Sequence, residues 1–224
     1  MPPPHAQSEE LDEAASDDSE EKSEEALAMH ERFLAVNSIR DAVIEGDLAL
    51  VKQRAEALAN NEELLSVFAD WGAGTKKMKI EIEKVAASSD LPSASVHIAA
   101  TARACGRCHE SLGVATLDDQ SGQPPKESDD IGGVMRQHHW AIGRMWDGLV
   151  APSDISWMQG AKSLAEIASQ AQQLPKAKSN DKLPPLLLEV EKLAVEAAKS
   201  VTNPEKTQVF GQLLTTCSGC HDMM

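Results

Sequence analysis

The sequence has few aromatic side chains: Phe, Trp and Tyr together make up 3% of its 224 residues, and there is no tyrosine. A core built on large rings is therefore excluded, and the abundance of Ala, Leu, Glu and Lys favours helices. No apolar run is long enough to span a bilayer. Cations are also scarce, with 21 Lys and Arg against 36 Asp and Glu, which gives a net charge of -15. This charge argues against a nucleic-acid partner, because binding to phosphates requires positive charge.

The negative charge is concentrated near the amino terminus. Between Glu9 and Glu25 lie ten carboxylates and a single cation, Lys22. Such a segment has too little apolar surface to fold by burial, so residues 1–25 are predicted to be a disordered acidic tail. The start of the sequence has neither the basic nor the apolar stretch of a secretory signal.

The four cysteines lie in two Cys-x-x-Cys-His motifs. One is Cys105-Gly106-Arg107-Cys108-His109, and the other is Cys217-Ser218-Gly219-Cys220-His221. Residues three and four apart share one face of a helix, so the two thiols and the imidazole of each motif point the same way. The thiols can then add to the two vinyl groups of haem while the imidazole reaches the iron. This spacing predicts two covalently bound c-type haems.

Two other interpretations of the cysteines remain open at this point. A Cys-x-x-Cys pair is also found in redox disulfides, although these accompany an alternation of strands and helices that this sequence lacks. The two pairs together could close one four-cysteine zinc site, although compact zinc modules do not separate their pairs by more than a hundred residues. Neither alternative accounts for the histidine that follows both pairs.

The spacing of several residues indicates that the sequence contains two copies of one unit. The motifs are 112 residues apart, and Pro92 and Pro204 each precede the first cysteine of a motif by 13 residues. Earlier in each copy the offset is 106, at which Met29 matches Met135 and Asp41 matches Asp147. The sequence predicts an all-α protein with two tandem four-helix bundles, at 26–116 and 131–224, joined by a linker at 117–130. The expected helices cover 26–45, 47–60, 62–87 and 92–112 in the first copy, and 131–150, 153–173, 183–200 and 204–222 in the second.

A four-helix bundle with Cys-x-x-Cys-His near the end of its last helix resembles cytochrome c-prime and its low-spin relatives. The endings Cys108-His109-Glu110 and Cys220-His221-Asp222 look like that family's carboxy-terminal signature, and 135–145 looks like its first helix. The resemblance covers both copies; the tandem duplication departs from the usual single-domain member. It implies an exported, periplasmic-type electron-transfer protein whose signal is absent from the sequence given, with redox proteins as partners. The acidic charge favours a partner with a basic docking surface.

The resemblance also implies the iron ligands. His109 and His221 are expected as the fifth ligands, and Met29 and Met135 as the sixth, because a methionine of the first helix binds iron in the low-spin relatives. His138 and His139 lie on the same face as Met135 and are alternative ligands in the second copy only. If the sixth position is open, the function is NO or CO binding instead of electron transfer. No arrangement typical of hydrolysis or nucleotide binding is present, so we do not expect an enzyme.

Overall fold

The structure, a computed structural model, describes residues 8–66, 72–113, 124–126 and 130–221. This part of the chain is all-α and contains no strand. Eight helices of twelve or more residues are accompanied by two short ones, α3 and α8. The helices are α1 (Ser8–Glu45), α2 (Leu48–Ala59), α3 (Glu62–Ser66), α4 (Gly72–Ala86), α5 (Leu91–Leu112), α6 (Ile131–Val150), α7 (Asp154–Ala171), α8 (Pro175–Lys178), α9 (Leu183–Ala197) and α10 (Asn203–His221).

Most helix boundaries follow local chemistry that the sequence displays. Asp90 caps α5 by accepting a hydrogen bond from the Ser93 amide, and Pro92 stands in the first turn. Gly46 adopts φ 81°, which ends α1, and Asp47 then caps α2. Ser153 caps α7 after the stop at Pro152. These starts and stops confirm the positions expected from the sequence.

Two helix starts differ from expectation. The first helix begins at Ser8 instead of Ala26, so the acidic residues of the predicted tail lie within the bounds of α1. Helix α10 begins at Asn203 instead of Pro204, and Thr202 is its cap, because Thr202 and Glu205 form a reciprocal capping box. Helices α3 and α4 both lie within the span expected as one helix, 62–87, on either side of 67–71, which is outside the described residues.

The long helices pack in two groups that follow the two copies of the sequence. In the first, α1 packs on α2, α2 on α4, and α4 on α5, and α5 returns to α1. In the second, α6 packs on α7, α7 on α9, and α9 on α10, and α10 returns to α6. Equivalent helices therefore have equivalent neighbours.

The two groups also pack against each other. The most extensive contact between them joins α5 to α10, the two helices that carry the cysteine motifs. On either side, α1 contacts α10 and its equivalent α6 contacts α5. This reciprocal pairing has the form of an isologous interface. One buried apolar cluster continues through both groups, so the two copies share a core.

Arg40 and Trp146 lie at this junction. The two residues occupy equivalent positions of the repeat, 106 apart, and the Arg40 guanidinium stands 5.1 Å from the centre of the Trp146 ring. Trp146 is fully buried and packs against Phe210, with ring centres 5.9 Å apart. A cation over an indole face is a favourable contact, and here it joins the first helix of each group.

No helix in the described ranges combines the length and apolar character needed to cross a bilayer.

Candidate haem sites

The first cysteine motif faces a cavity of about 400 Å³ between α1, α5 and the end of α6. Its volume falls within the ~300–1,000 Å³ of typical ligand and cofactor sites. Met29, Cys105 and His109 all line it. Other described residues that line this cavity are Ala26, His30, Arg32, Phe33, Val36, Val150 and Ala151. The structure thus brings three of the predicted site residues to one mostly apolar cavity.

The His109 side chain is held by a hydrogen bond that it donates to the other half of the chain. Its Nδ1 lies 2.7 Å from the carbonyl oxygen of Val150, at the end of α6. A carbonyl can only accept, so Nδ1 carries the proton and Nε2 keeps its lone pair. A metal-binding histidine commonly donates its second ring nitrogen in this way, which fixes both tautomer and ring orientation. The ring orientation of His109 is therefore fixed by a group from the second copy, in the manner typical of a metal-binding histidine.

The second motif faces a cavity of the same size, about 400 Å³, between α1, α6 and α10. Met135, Cys217 and His221 line it, as their equivalents line the first cavity. Other described residues that line this second cavity are Ile44, Arg136, His138, His139 and Ile142. Cys220 lies on α10 directly before His221 and is partly buried.

His138 differs from the other histidines of the second cavity. Its Nε2 is enclosed and has no hydrogen-bond partner among the described residues, whereas His139 is exposed. Burial, together with the neighbouring His221 and His139, lowers the pKa of His138 to about 4. The imidazole is therefore neutral at pH 7.

The position equivalent to His138 in the first copy is Arg32, 106 residues earlier. Arg32 is buried and donates from Nε to the carbonyl oxygen of Leu64, 3.1 Å away, with a second bond from its other guanidinium nitrogen. A guanidinium remains protonated and has no lone pair for a metal. The two cavities thus share their Met, Cys and His positions but differ at this one.

The thiols are protonated at neutral pH. Burial raises the pKa of Cys105 and of Cys217 to about 12. It also raises the pKa of Cys108 and Cys220. All four cysteines are free, and Cys105 and Cys217 line different cavities. This separation does not match the single four-cysteine zinc site.

Each cavity has one arginine among its lining residues, Arg32 in the first and Arg136 in the second. Arg144 is instead buried beside α7, where it donates to Gln159 Oε1 over 2.8 Å.

Trp157, like Trp146, has a packing role: it is buried and donates to the Ala197 carbonyl. Trp71 lies outside the described residues.

The two cavities are close because α1 and α6 each contribute to both. On α1, Val36 lines the first cavity and Ile44 the second. On α6, Ile142 lines the second and Val150 the first. Each pair is eight residues apart, or about 12 Å along a helix. Arg40 lies midway between the two lining residues of α1, and Trp146 lies midway between those of α6.

Sequence reasoning missed the groups that one copy contributes to the cavity of the other, namely Ile44, Val150 and Ala151. A single apolar residue and a backbone carbonyl have no chemical signature in a sequence. Comparison of the chain with protein-family models, with curated proteins and with solved structures finds no match.

Proposed function

We propose that the protein is a dihaem c-type cytochrome that transfers electrons outside the cytoplasm. The observation that carries this proposal is the repeated cavity: the first cysteine and the histidine of each motif line an apolar space of about 400 Å³, together with a methionine of the first helix in that group. Two thiols, an imidazole with a free lone pair and an apolar enclosure are what a covalently attached haem requires. When bound, haem supplies a one-electron Fe(II)/Fe(III) couple.

The residues of the first site have distinct roles under this proposal. Cys105 and Cys108 hold the cofactor covalently, and His109 binds the iron with its orientation set by Val150. Met29, on the opposite helix, is the proposed second iron ligand; a thioether paired with histidine raises the reduction potential. Phe33 and Val36 exclude water from the site. Cys217, Cys220 and His221 are the corresponding residues of the second site.

The shared helices support electron exchange within the molecule. Since the cavity walls lie about 12 Å apart along α1 and α6, the two proposed centres are neighbours in one core and not isolated domains. The acidic charge of the chain suits a basic redox partner, whose association would weaken as salt screens the attraction.

The first test is the visible spectrum of the exported protein, oxidised and reduced, before and after addition of CO. We expect low-spin bands that CO does not change. Mass spectrometry of the denatured protein should show the chain with the added mass of two haems. A colourless protein would contradict the proposal. High-spin bands that shift with CO would instead favour NO or CO binding at an open iron.

Met29→Leu tests the ligand of the first site. The substitution keeps the side-chain volume but removes the sulfur, so packing changes little. We expect the first haem to lose its methionine–iron charge-transfer band, to fall in potential and to bind CO. Met78→Leu is the control, because Met78 lines a small neighbouring cavity of about 30 Å³ with Met29 and His109. If Met78→Leu has these effects and Met29→Leu does not, the assignment is wrong.

A further inference from the structure

We propose that His138, and not Met135, is the sixth ligand of the second iron, so that the two haems have different ligands. This inference rests on the proposed function, because it assumes that the second motif holds a haem. The starting observation is that His138 lines the cavity that contains Cys217 and His221, and that its Nε2 is enclosed without a hydrogen-bond partner among the described residues.

An enclosed ring nitrogen without a partner is unfavourable. Leaving a buried polar atom unsatisfied costs its full desolvation, so such atoms usually have a partner. A thioether has no comparable requirement and is stable in an apolar wall. If Met135 bound the iron, the Nε2 of His138 would stay unsatisfied; if His138 binds it, both side chains are accommodated.

The position of His138 is suitable for this role. It lies three residues after Met135, one helical turn along the same face of α6. Imidazole is a good ligand for iron. His139 also lines the cavity but is exposed to solvent, so its ring has water as an alternative partner.

The first copy does not allow the same ligation. Arg32 stands at the equivalent position and donates to the Leu64 carbonyl. Of Met29 and Arg32, the residues equivalent to Met135 and His138, only Met29 has a lone pair that can bind iron. The duplicated chain therefore contains a His/Met site and a bis-histidine site. Since methionine raises the potential of a histidine-ligated haem, a haem held by His138 and His221 would have the lower potential of the two and would be the electron donor to the first.

Three single variants of the full-length holoprotein test the assignment: His138→Ala, Met135→Leu and His139→Ala. We expect His138→Ala to convert one ferric haem from low to high spin by electron paramagnetic resonance and to raise CO binding from none to one per chain. Added imidazole should restore the low-spin signal, which a purely structural role would not explain. Met135→Leu and His139→Ala change the wall of the cavity but not the proposed ligand, so both should keep the second ferric haem low-spin and closed to CO.

The outcomes separate this inference from the proposed function. If His138→Ala is silent and Met135→Leu opens an iron to CO, methionine is the ligand and the inference is overturned while the haem proposal stands. If His139→Ala alone has the effect, the wrong histidine was assigned. If the wild-type protein contains no haem, the proposed function itself fails.

Discussion

Replacing Gly106 with Ala is expected to lower the free energy of unfolding by about 1–3 kcal/mol, the usual range for overpacking a tight contact. Gly106 stands between the first cysteine pair, on the face of α5 that meets α6. A Cβ at this position would lie 2.2 Å from the carbonyl oxygen of Leu149 and 3.3 Å from Pro152. The oxygen belongs to the backbone, so the end of α6 must move away from α5.

The same movement affects the first site. Val150 follows Leu149 directly, and its carbonyl accepts the hydrogen bond from His109. We therefore expect Gly106→Ala to change the midpoint potential of the first haem and to leave the second unchanged. Thermal unfolding followed by circular dichroism measures the stability, and a spectroelectrochemical titration measures the two potentials.

Gly219→Ala is the matched control, because Gly219 stands between the cysteines of the second motif. Within the part of the chain that the structure describes, no atom beyond the neighbouring backbone of α10 lies within 4 Å of a Cβ added there. Alanine should then stabilise α10 by up to about 1 kcal/mol through its higher helix propensity. Equal stability of Gly106→Ala and Gly219→Ala would show that α5 and α6 do not make the close contact described.

The sequence predicts those parts of the fold that depend on local chemistry. Asp47, Asp90 and Ser153 cap helices where their side chains meet free backbone amides, and the caps follow from residue type and spacing. The cysteine motifs are found for the same reason. The capping role of Thr202 was missed because it depends on the reciprocal contact with Glu205, which only the structure shows.

The packing of one group against the other was not predictable. Almost every turn of α5 buries small residues, among them Ala94, Ser95 and Ala99, and these occupy more than one face of the helix. Periodicity shows that such a helix is enclosed but does not show by which neighbour. The interpretation of the chain as two bundles on a flexible linker accordingly overlooked the shared core. It also left His138 and Met135 as alternatives, since only the structure shows which atom is without a partner.

Expressing the two groups as separate chains, 1–123 and 124–224, is expected to leave neither stably folded on its own. Each fragment would expose the surface where α5 and α10 meet, the largest contact between the groups. The approach there is close: a Cβ on Gly211 would lie 3.4 Å from the backbone of Val96. A unit of about one hundred residues buries a limited share of its surface, so the loss of this interface removes a large part of its stability.

The matched control is the intact protein with a protease site inserted within 114–123 and cleaved after folding. This nicked protein has the same chain ends but a complete interface, so we expect it to remain one particle by size-exclusion chromatography. The unfolding transition of the nicked protein should stay close to that of the intact chain. Each fragment alone should lack a cooperative transition or should self-associate. Fragments produced together should recover the complex.

The spectra of the fragments extend this test to the proposed sites. Residues 1–123 lack Val150, which orients His109, and residues 124–224 lack Ile44 from the wall of the second cavity. Each haem should therefore regain its native spectrum and potential only when the other group is present. If both fragments fold alone with the melting temperature and potentials of the intact protein, the groups are independent domains. The hydrogen bond between His109 and Val150 then has no role in holding the first site.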